Sequence, residues 1–437
     1  QNGAWQEEGA VGIRIETTAM TRFVYVAHLE GLEPMSVYEL WAGDWEEGED
    51  GMSEKFLIRT LPYEYKEDQD DDNNPIRSTR LIVGGDVGMS DEAVKLFELA
   101  VDVYPLPHAM VIGGDLAYEN AITTCYRRFD EWLYEFTSSS QSKGMLIPVI
   151  PVVGNHDAGG FARKTYGAEA LYFYYFPYLI NTDFESEEET KRRIESKEII
   201  RKPATWTRDE ENRKAGFVPI SGEGVVVFED GWTLKEETYR VHDIESCSLS
   251  IFVLDSNHVF SPESQVDWLE QELQNRTNAN TLFKVTAYHD PMFPSQLWEY
   301  PNVGRKNLRD SWFESFGKYG VDVGFEFHTH EYKRSRPLLS AKLKDGNEEN
   351  WVVSEEDESL LVPKSDDADI SKGTVFIGDG CMGVEAHGDI QNLKLPFYLE
   401  KAISEPHFLV ADFDPWSKGI VVKAEGVNGE YFDSYSS

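Results

Sequence analysis

Six residues able to hold a metal ion, Asp86, Asp115, Asn155, His289, His328 and His330, each fall within a few residues of the carboxyl end of a short apolar run. The clearest case is Leu146 to Asp157, LIPVIPVVGNHD, where Val, Ile and Pro carry an extended segment into the interior and Gly154 lets it turn sharply. Two carboxylates, one amide and three imidazoles are the hard and borderline ligands that a pair of first-row metals takes. A carboxylate shared by two cations about 3.5–4 Å apart gives a spacing suited to clamping phosphate oxygens. Taken singly, each residue could cap a helix or a turn, with Asn155 bonded to its own backbone and His156 merely exposed. Six unrelated caps at five strand ends would be an improbable coincidence.

The elements that must position these groups alternate between strand and helix. Leu81-Ile82-Val83 reads as a buried strand ending at Asp86 in GGDVG. Ser90 then caps an amphipathic helix with Ala93, Leu96, Phe97, Ala100 and Val101 on one face. Ala109 to Ile112 is a second strand, ending in GGDLAYEN, and Tyr126, Phe129, Trp132, Leu133 and Phe136 follow at helical spacing. Those aromatics belong to the core. Later strands are predicted at Leu249–Leu254, ending in Asp255-Ser256, at Leu282–Ala287, ending at His289, and at Val321–Phe327, ending in His328-Thr329-His330. Between the first two, SPESQVDWLEQELQN reads as a helix with Ser261 as cap, Pro262 in its first position and Val266, Leu269 and Leu273 inward. The runs GTVFIGDG, HFLVADF and GIVVKAEG finish the sheets.

Residues 1–63 differ: VGIRIETT, FVYVAHL, SVYELWAG and EKFLIRTLP alternate as short strands, as in a small β-sandwich. His28 on one of them reads as structural. Residues 64–75, EYKEDQDDDNNP, are too acidic and polar to bury a core and are expected to link this β domain to a catalytic domain over 76–437. Residues 158–240 give few signals; YFYYFPYL reads as a packed aromatic segment and Glu185 to Lys202 as an exposed helix or surface insertion.

A length of 437 residues with 41% hydrophobic content is enough for one large domain and a small one, and no apolar run approaches a membrane span. The net charge of -38 argues against a nucleic-acid partner, whose footprint would be basic. It would also repel anions, so a phosphate site must carry its own local positive charge. Three cysteines, Cys125, Cys247 and Cys381, show no metal-ligand spacing. Gln at position 1 suggests a processed start and a secreted or extracytoplasmic protein.

The ordered set GDVG, GDLAY, GNHD, AYH at 287–289 and HTH at 328–330 resembles the calcineurin-like metallophosphoesterases. Within them it is similar to the purple acid phosphatases: Gly88 stands where most of the superfamily has histidine, and Tyr118 follows the second aspartate at +3. The resemblance implies an α/β fold, a four-layer α/β/β/α metallophosphoesterase sandwich preceded by a small all-β, fibronectin III-like domain. It implies that Asp86, Tyr118 and His330 hold Fe(III), that Asp115 bridges, and that Asn155, His289 and His328 hold a second divalent metal, Fe, Zn or Mn. His156 would face the substrate and stabilise the phosphoryl group or protonate the leaving oxygen. The reaction implied is hydrolysis of phosphate monoesters by attack of metal-bound hydroxide, as in an acid phosphatase, on a phosphorylated small molecule or protein. A phosphodiesterase or pyrophosphate-type hydrolase on the same metals is the alternative, and a binding member with little activity a third reading.

Two departures stand out. Phe327 occupies the position where the family has glycine before the first histidine of its last motif. The plant-type members also carry a second histidine near the one at 289; here His289 is followed by Asp290, so a second proton donor comes from Asp290, Tyr300 or Arg305 or is absent.

Overall fold

Strands without a polar face must be covered on both sides, and the central runs of this chain have none. Leu81, Ile82, Val83, Met110, Val111 and Ile112 are all at most 1% exposed, as are Ile251, Phe252 and Val253. The computed structural model places such strands side by side in two large sheets. It describes residues 11–16, 21–27, 29, 31–34, 36–43, 53–61, 78–120, 122, 125–158, 171–176, 178–181, 199–201, 225–227, 232–235, 238–295, 303–343, 350–354, 357–364, 373–378, 380–387 and 395–437. These fall into two compact units, one within 1–32, 118–128 and 155–238, the other within 33–117, 129–154 and 239–437.

The second unit holds both large sheets. One has six strands in the order Tyr431–Ser436, Gly419–Gly426, His407–Asp414, Thr79–Gly84, Ala109–Ile112 and Val149–Pro151. Its last three strands are parallel, so their carboxyl ends share one edge. The other has seven, in the order Arg240–Ile244, Leu249–Val253, Phe283–Ala287, Val323–Glu326, Val375–Gly378, Tyr332–Ser335 and Leu399–Ile403. Leu249–Val253, Phe283–Ala287, Val323–Glu326 and Val375–Gly378 run parallel. The facing sides of the two sheets form one core, with Leu81, Val83, Val111 and Leu409 from the first and Ile251, Val285, Phe325 and Ile377 from the second.

Helices cover the outer faces. Asp91–Asp102 is capped by the Ser90 hydroxyl, which accepts from Ala93 N–H, and buries the five residues expected of it. Phe97 meets Trp132 and Phe136 of helix Arg127–Ser142 edge-on at 6.2 and 5.7 Å. Over the seven-stranded sheet, helix Val266–Asn278 lays down Leu269 and Leu273 beside Trp312, Phe313 and Phe316. The fold is therefore the four-layer α/β/β/α sandwich. One helix start differs from expectation: Glu263–Gln265 is a 3-10 turn and the α-helix begins at Val266. Gln265 is the reason, because its amide bonds the backbone of Asp255 through both ends and fixes the turn before the helix can begin.

The N-terminal β runs form strands in pairs, Val11–Glu16 with Thr21–Val26 and Val37–Leu40 with Phe56–Arg59. The second pair lies in the unit that carries the large sheets, where Leu57 C=O accepts from Leu146 N–H at 2.7 Å. In the aromatic run, Tyr172–Tyr175 is a helical turn and Tyr178–Asn181 a strand. Ile199–Arg201, at the end of the charged run, is also a strand. His28, the 64–75 linker, the run from 185 to 198 and Tyr300 lie outside the described residues. No helix among the described residues is long and apolar enough to cross a membrane.

Candidate metal centre

Asp86, Asp115, His289 and the pair His328 and His330 leave four different strands of the two sheets and converge. His289 Nε2 lies 3.4 Å from Asp115 Oδ2 and 4.0 Å from Asp86 Oδ1. His330 Nε2 lies 3.2 Å from Asp86 Oδ1, and His328 Nδ1 lies 3.2 Å from His289 Nε2. Ligand atoms of Asp115, His289 and His328 all fall within 4.8 Å of one another. Asp86, Asp115 and His289 are at most 1% exposed. Burying two carboxylates against imidazoles is costly unless positive charge compensates them, and carboxylate with imidazole is a donor set that first-row metals take. The residues fit a metal centre.

The backbone at these positions is unusual. Asp86, Asp115, His328 and His330 have φ of 54°, 52°, 81° and 57°, in the left-handed region that non-glycine residues rarely enter. Each of these residues sits where an extended strand breaks abruptly, and the backbone conformation aims its side chain across the sheet edge. Strain of this kind concentrates at functional sites. Supporting bonds hold it: His328 N–H donates to Asp86 Oδ2 at 2.8 Å, and His289 Nδ1 lies 2.7 Å from Gly113 C=O. The latter leaves His289 Nε2 facing the two aspartates.

Close approach of backbone explains the glycines. A Cβ on Gly154 would stand 2.2 Å from Asp115 Oδ1, and one on Gly380 2.2 Å from Asp86 Oδ2. Phe327 is accommodated in the same way. Its buried ring fills the space over Gly85 and Gly113, where added Cβ atoms would meet ring carbons at 2.6 and 2.2 Å. The phenylalanine thus supplies the packing above two glycine turns, and His328 beside it still reaches the cluster.

Electrostatics follow from this crowding. Burial favours neutral imidazole at His289, but Asp115 and Asp86 outweigh it and hold its pKa well above the ordinary value. At His330 burial also opposes the charge, and the hydrogen bond to Asp86 overcomes it, raising the pKa. His328 goes the other way: burial dominates and lowers it, against the pull of Asp290.

Tyr118, Asn155 and His156 belong to the other unit. The Tyr118 and His156 rings lie 4.5 Å apart at 37°, and His156 Nδ1 is hydrogen-bonded to Asn120 Oδ1. Tyr118 has φ of 54°, and its carbonyl accepts from Arg128 Nη1 at 2.9 Å.

Two histidines near the centre went unread in the sequence. His258 Nε2 lies 3.5 Å from Asp290 Oδ1. It follows the Leu249–Val253 strand closely, so the strand-end rule that selected the others could have found it. The His387 ring lies 4.3 Å from that of His330, tilted by 33°. It sits nine residues past the end of strand Val375–Gly378, where the strand-end rule gives no signal.

The calcineurin-like phosphoesterase family model matches residues 79–332, more than half of the chain, and the chain belongs to that family. Its likeness within the family is to purple acid phosphatases. It is 28% identical over 158 residues to Fe(3+)-Zn(2+) purple acid phosphatase 12 of Arabidopsis thaliana, covering 34% of this chain and 32% of that protein. Acid phosphatase type 7 of Mus musculus is 32% identical over 99 residues, 20% of this chain and 22% of that one. The matches thus span about a third or less of those relatives' lengths. Among solved structures, the purple acid phosphatase PPD1 from yellow lupin seeds aligns over all of this chain and 67% of its own, with TM-score 0.61 and 13% identity. PhoD aligns over 96% of this chain and 78% of its own, with TM-score 0.51 and 12% identity. These two establish likeness of fold.

Proposed function

We propose that this protein hydrolyses phosphate monoesters on a binuclear metal centre, in the manner of an acid phosphatase. The observation that carries the reading is the convergence of Asp86, Asp115, His289, His328 and His330 at one sheet edge, four of them on left-handed backbone. Asp86, Tyr118 and His330 would hold ferric iron, Asp115 would bridge, and Asn155, His289 and His328 would hold a divalent ion, Fe, Zn or Mn. The bound pair would neutralise phosphoryl charge and lower the pKa of water.

The roles of the chain's own residues follow from their chemistry. His289 is held by Gly113 C=O so that its other nitrogen faces the carboxylates. The Asn120 side chain fixes the His156 ring and leaves Nε2 as the nitrogen able to hold or give a proton at the leaving oxygen. With a chain charge of -38, the local cations are what would admit an anionic phosphate. A catalytic domain over 76–437, preceded by a β domain over 1–63 and an acidic linker, is part of the same proposal, as is secretion.

Phosphate release from an aryl monoester and the matching diester, from pH 4 to 9 with and without chelator, tests the reading. Chelator-sensitive monoester turnover favouring acid is expected, and Asp115→Asn should abolish it with the fold intact. A preference for the diester would replace the monoester reading with its phosphodiesterase alternative. Full activity in Asp115→Asn would refute the bridging role.

A further inference from the structure

Beside the cluster, Asp290 and His258 form a second arrangement. Asp290 Oδ1 lies 3.7 Å from His328 Nδ1 and 3.5 Å from His258 Nε2. Ligand atoms of His258, His289 and Asp290 fall within 4.8 Å of one another, so His289 is common to this group and to the one with Asp115 and His328. We propose that Asp290 is an additional carboxylate ligand of the divalent ion held by His289 and His328, and that His258 is the outer group that orients it. The proposal rests on the metal-centre reading above and extends its ligand set.

Spacing supports this. Nitrogen and oxygen ligands bound about 2.0–2.2 Å from one ion stand roughly 3 to 3.5 Å apart along the edges of its coordination polyhedron. From Asp115 Oδ2 to His289 Nε2, on to His328 Nδ1 and then to Asp290 Oδ1, the steps are 3.4, 3.2 and 3.7 Å. The step to Asp290 is the longest, a few tenths of an ångström beyond such an edge, so Asp290 stands next to the run rather than already on it. Its backbone is fixed as well, since Asp290 N–H donates to Ser256 Oγ at 2.9 Å.

His258 sits on a loop built to hold it. The buried Asp255 carboxylate accepts from the N–H groups of His258, Val259 and Phe260, with His258 at 2.7 Å. Gln265 Nε2 anchors the Asp255 carbonyl at 2.7 Å. The His258 side chain is 8% exposed, and its Nε2 lies 3.1 Å from Ser256 Oγ, so one serine ties the histidine and the Asp290 backbone together. An outer-sphere group that orients a ligating side chain is a common companion of metal sites. A second carboxylate on this ion makes the site harder, favouring Mn(II) or Fe(II) over Zn(II) relative to a site without it.

The test is metal content by mass spectrometry after dialysis, with Mn(II) and Zn(II) affinities by chelator competition, for wild type, Asp290→Asn and His258→Gln. Asp290→Asn keeps the shape and an oxygen acceptor for His328 but removes the anionic ligand. Mn(II) affinity should fall at least roughly 10- to 100-fold and Zn(II) affinity less, with one ion per chain lost on dialysis. His258→Gln should weaken the same ion by a smaller factor. Cobalt-substituted protein should change its visible spectrum in Asp290→Asn, which a purely structural role would not cause. Unfolding in chelator should be unaltered, which reports that the variants fold. If wild type binds two ions and Asp290→Asn binds both as tightly, this inference is overturned while the metal-centre reading stands. Wild type that binds no first-row metal would overturn both.

Discussion

Replacing Gly113 by alanine should damage the protein through a single contact, and the contact can be tested from both sides. Gly113 lies outside the left-handed region, so an alanine meets no backbone penalty there. Its Cβ would stand 2.2 to 2.3 Å from three carbons of the Phe327 ring, well inside van der Waals contact. Phe327 is 1% exposed, lies over Gly85 as well as Gly113, and cannot retreat without moving His328 next to it. Overpacking of this kind costs about 1–3 kcal/mol. Phe327→Ala alone leaves a cavity and should cost about 3–5 kcal/mol. In the double variant the alanine methyl enters the space the ring leaves, so the two effects should fall short of their sum by about 1–3 kcal/mol. Denaturant unfolding of the two single variants and the double variant measures this coupling. Divalent-metal affinity should fall in Gly113→Ala and partly recover in the double variant, because the path of damage runs through His328. Strictly additive stabilities would refute the argument and leave Phe327 as ordinary core.

Other outcomes follow from separate parts of the molecule. His108 is buried, its Nδ1 accepts from Arg80 N–H, and burial, aided by Arg59, lowers its pKa to about 4. Its folded pKa is below the unfolded value, so the stability it contributes is present above about pH 6.5 and is lost as pH falls toward 4. The unfolding midpoint of wild type should drop across that window, and His108→Gln should flatten the drop. Glu326 and Lys333 are both fully buried and paired; Glu326 also accepts from Tyr288 O–H at 2.6 Å and Met292 N–H at 2.7 Å. Glu326→Gln strands the lysine and should cost about 3–5 kcal/mol, whereas Glu326→Gln with Lys333→Met should recover much of it; equal losses by denaturant unfolding would show the pair is not coupled. Iron-loaded protein should show a visible phenolate-to-iron band that Tyr118→Phe removes, and a band that survives would exclude Tyr118 as the ligand.

The sequence alone determined the parallel strands of both large sheets, the two helices behind the first sheet, and the positions at which chemistry could be placed, but not the strands Arg240–Ile244, Tyr332–Ser335, Leu399–Ile403 and Tyr431–Ser436. It could do so because a strand covered on both faces must be a continuous apolar run, and because a chain leaving it abruptly needs glycine or a residue that tolerates a left-handed turn. Asp86, Asp115, His289, His328 and His330 were legible for that reason. What only the tertiary structure decided is lateral. Strand His407–Asp414 inserts between Gly419–Gly426 and Thr79–Gly84, more than three hundred residues away, and no local period encodes that neighbour. The same holds for Phe327 over Gly85 and Gly113, for Glu326 beside Lys333, and for His258 facing Asp290. Each is a contact between strands or strand-end turns brought together by sheet order and register. Periodicity along a chain reports which face of an element is buried, and only the folded sheets set what that face or turn will meet.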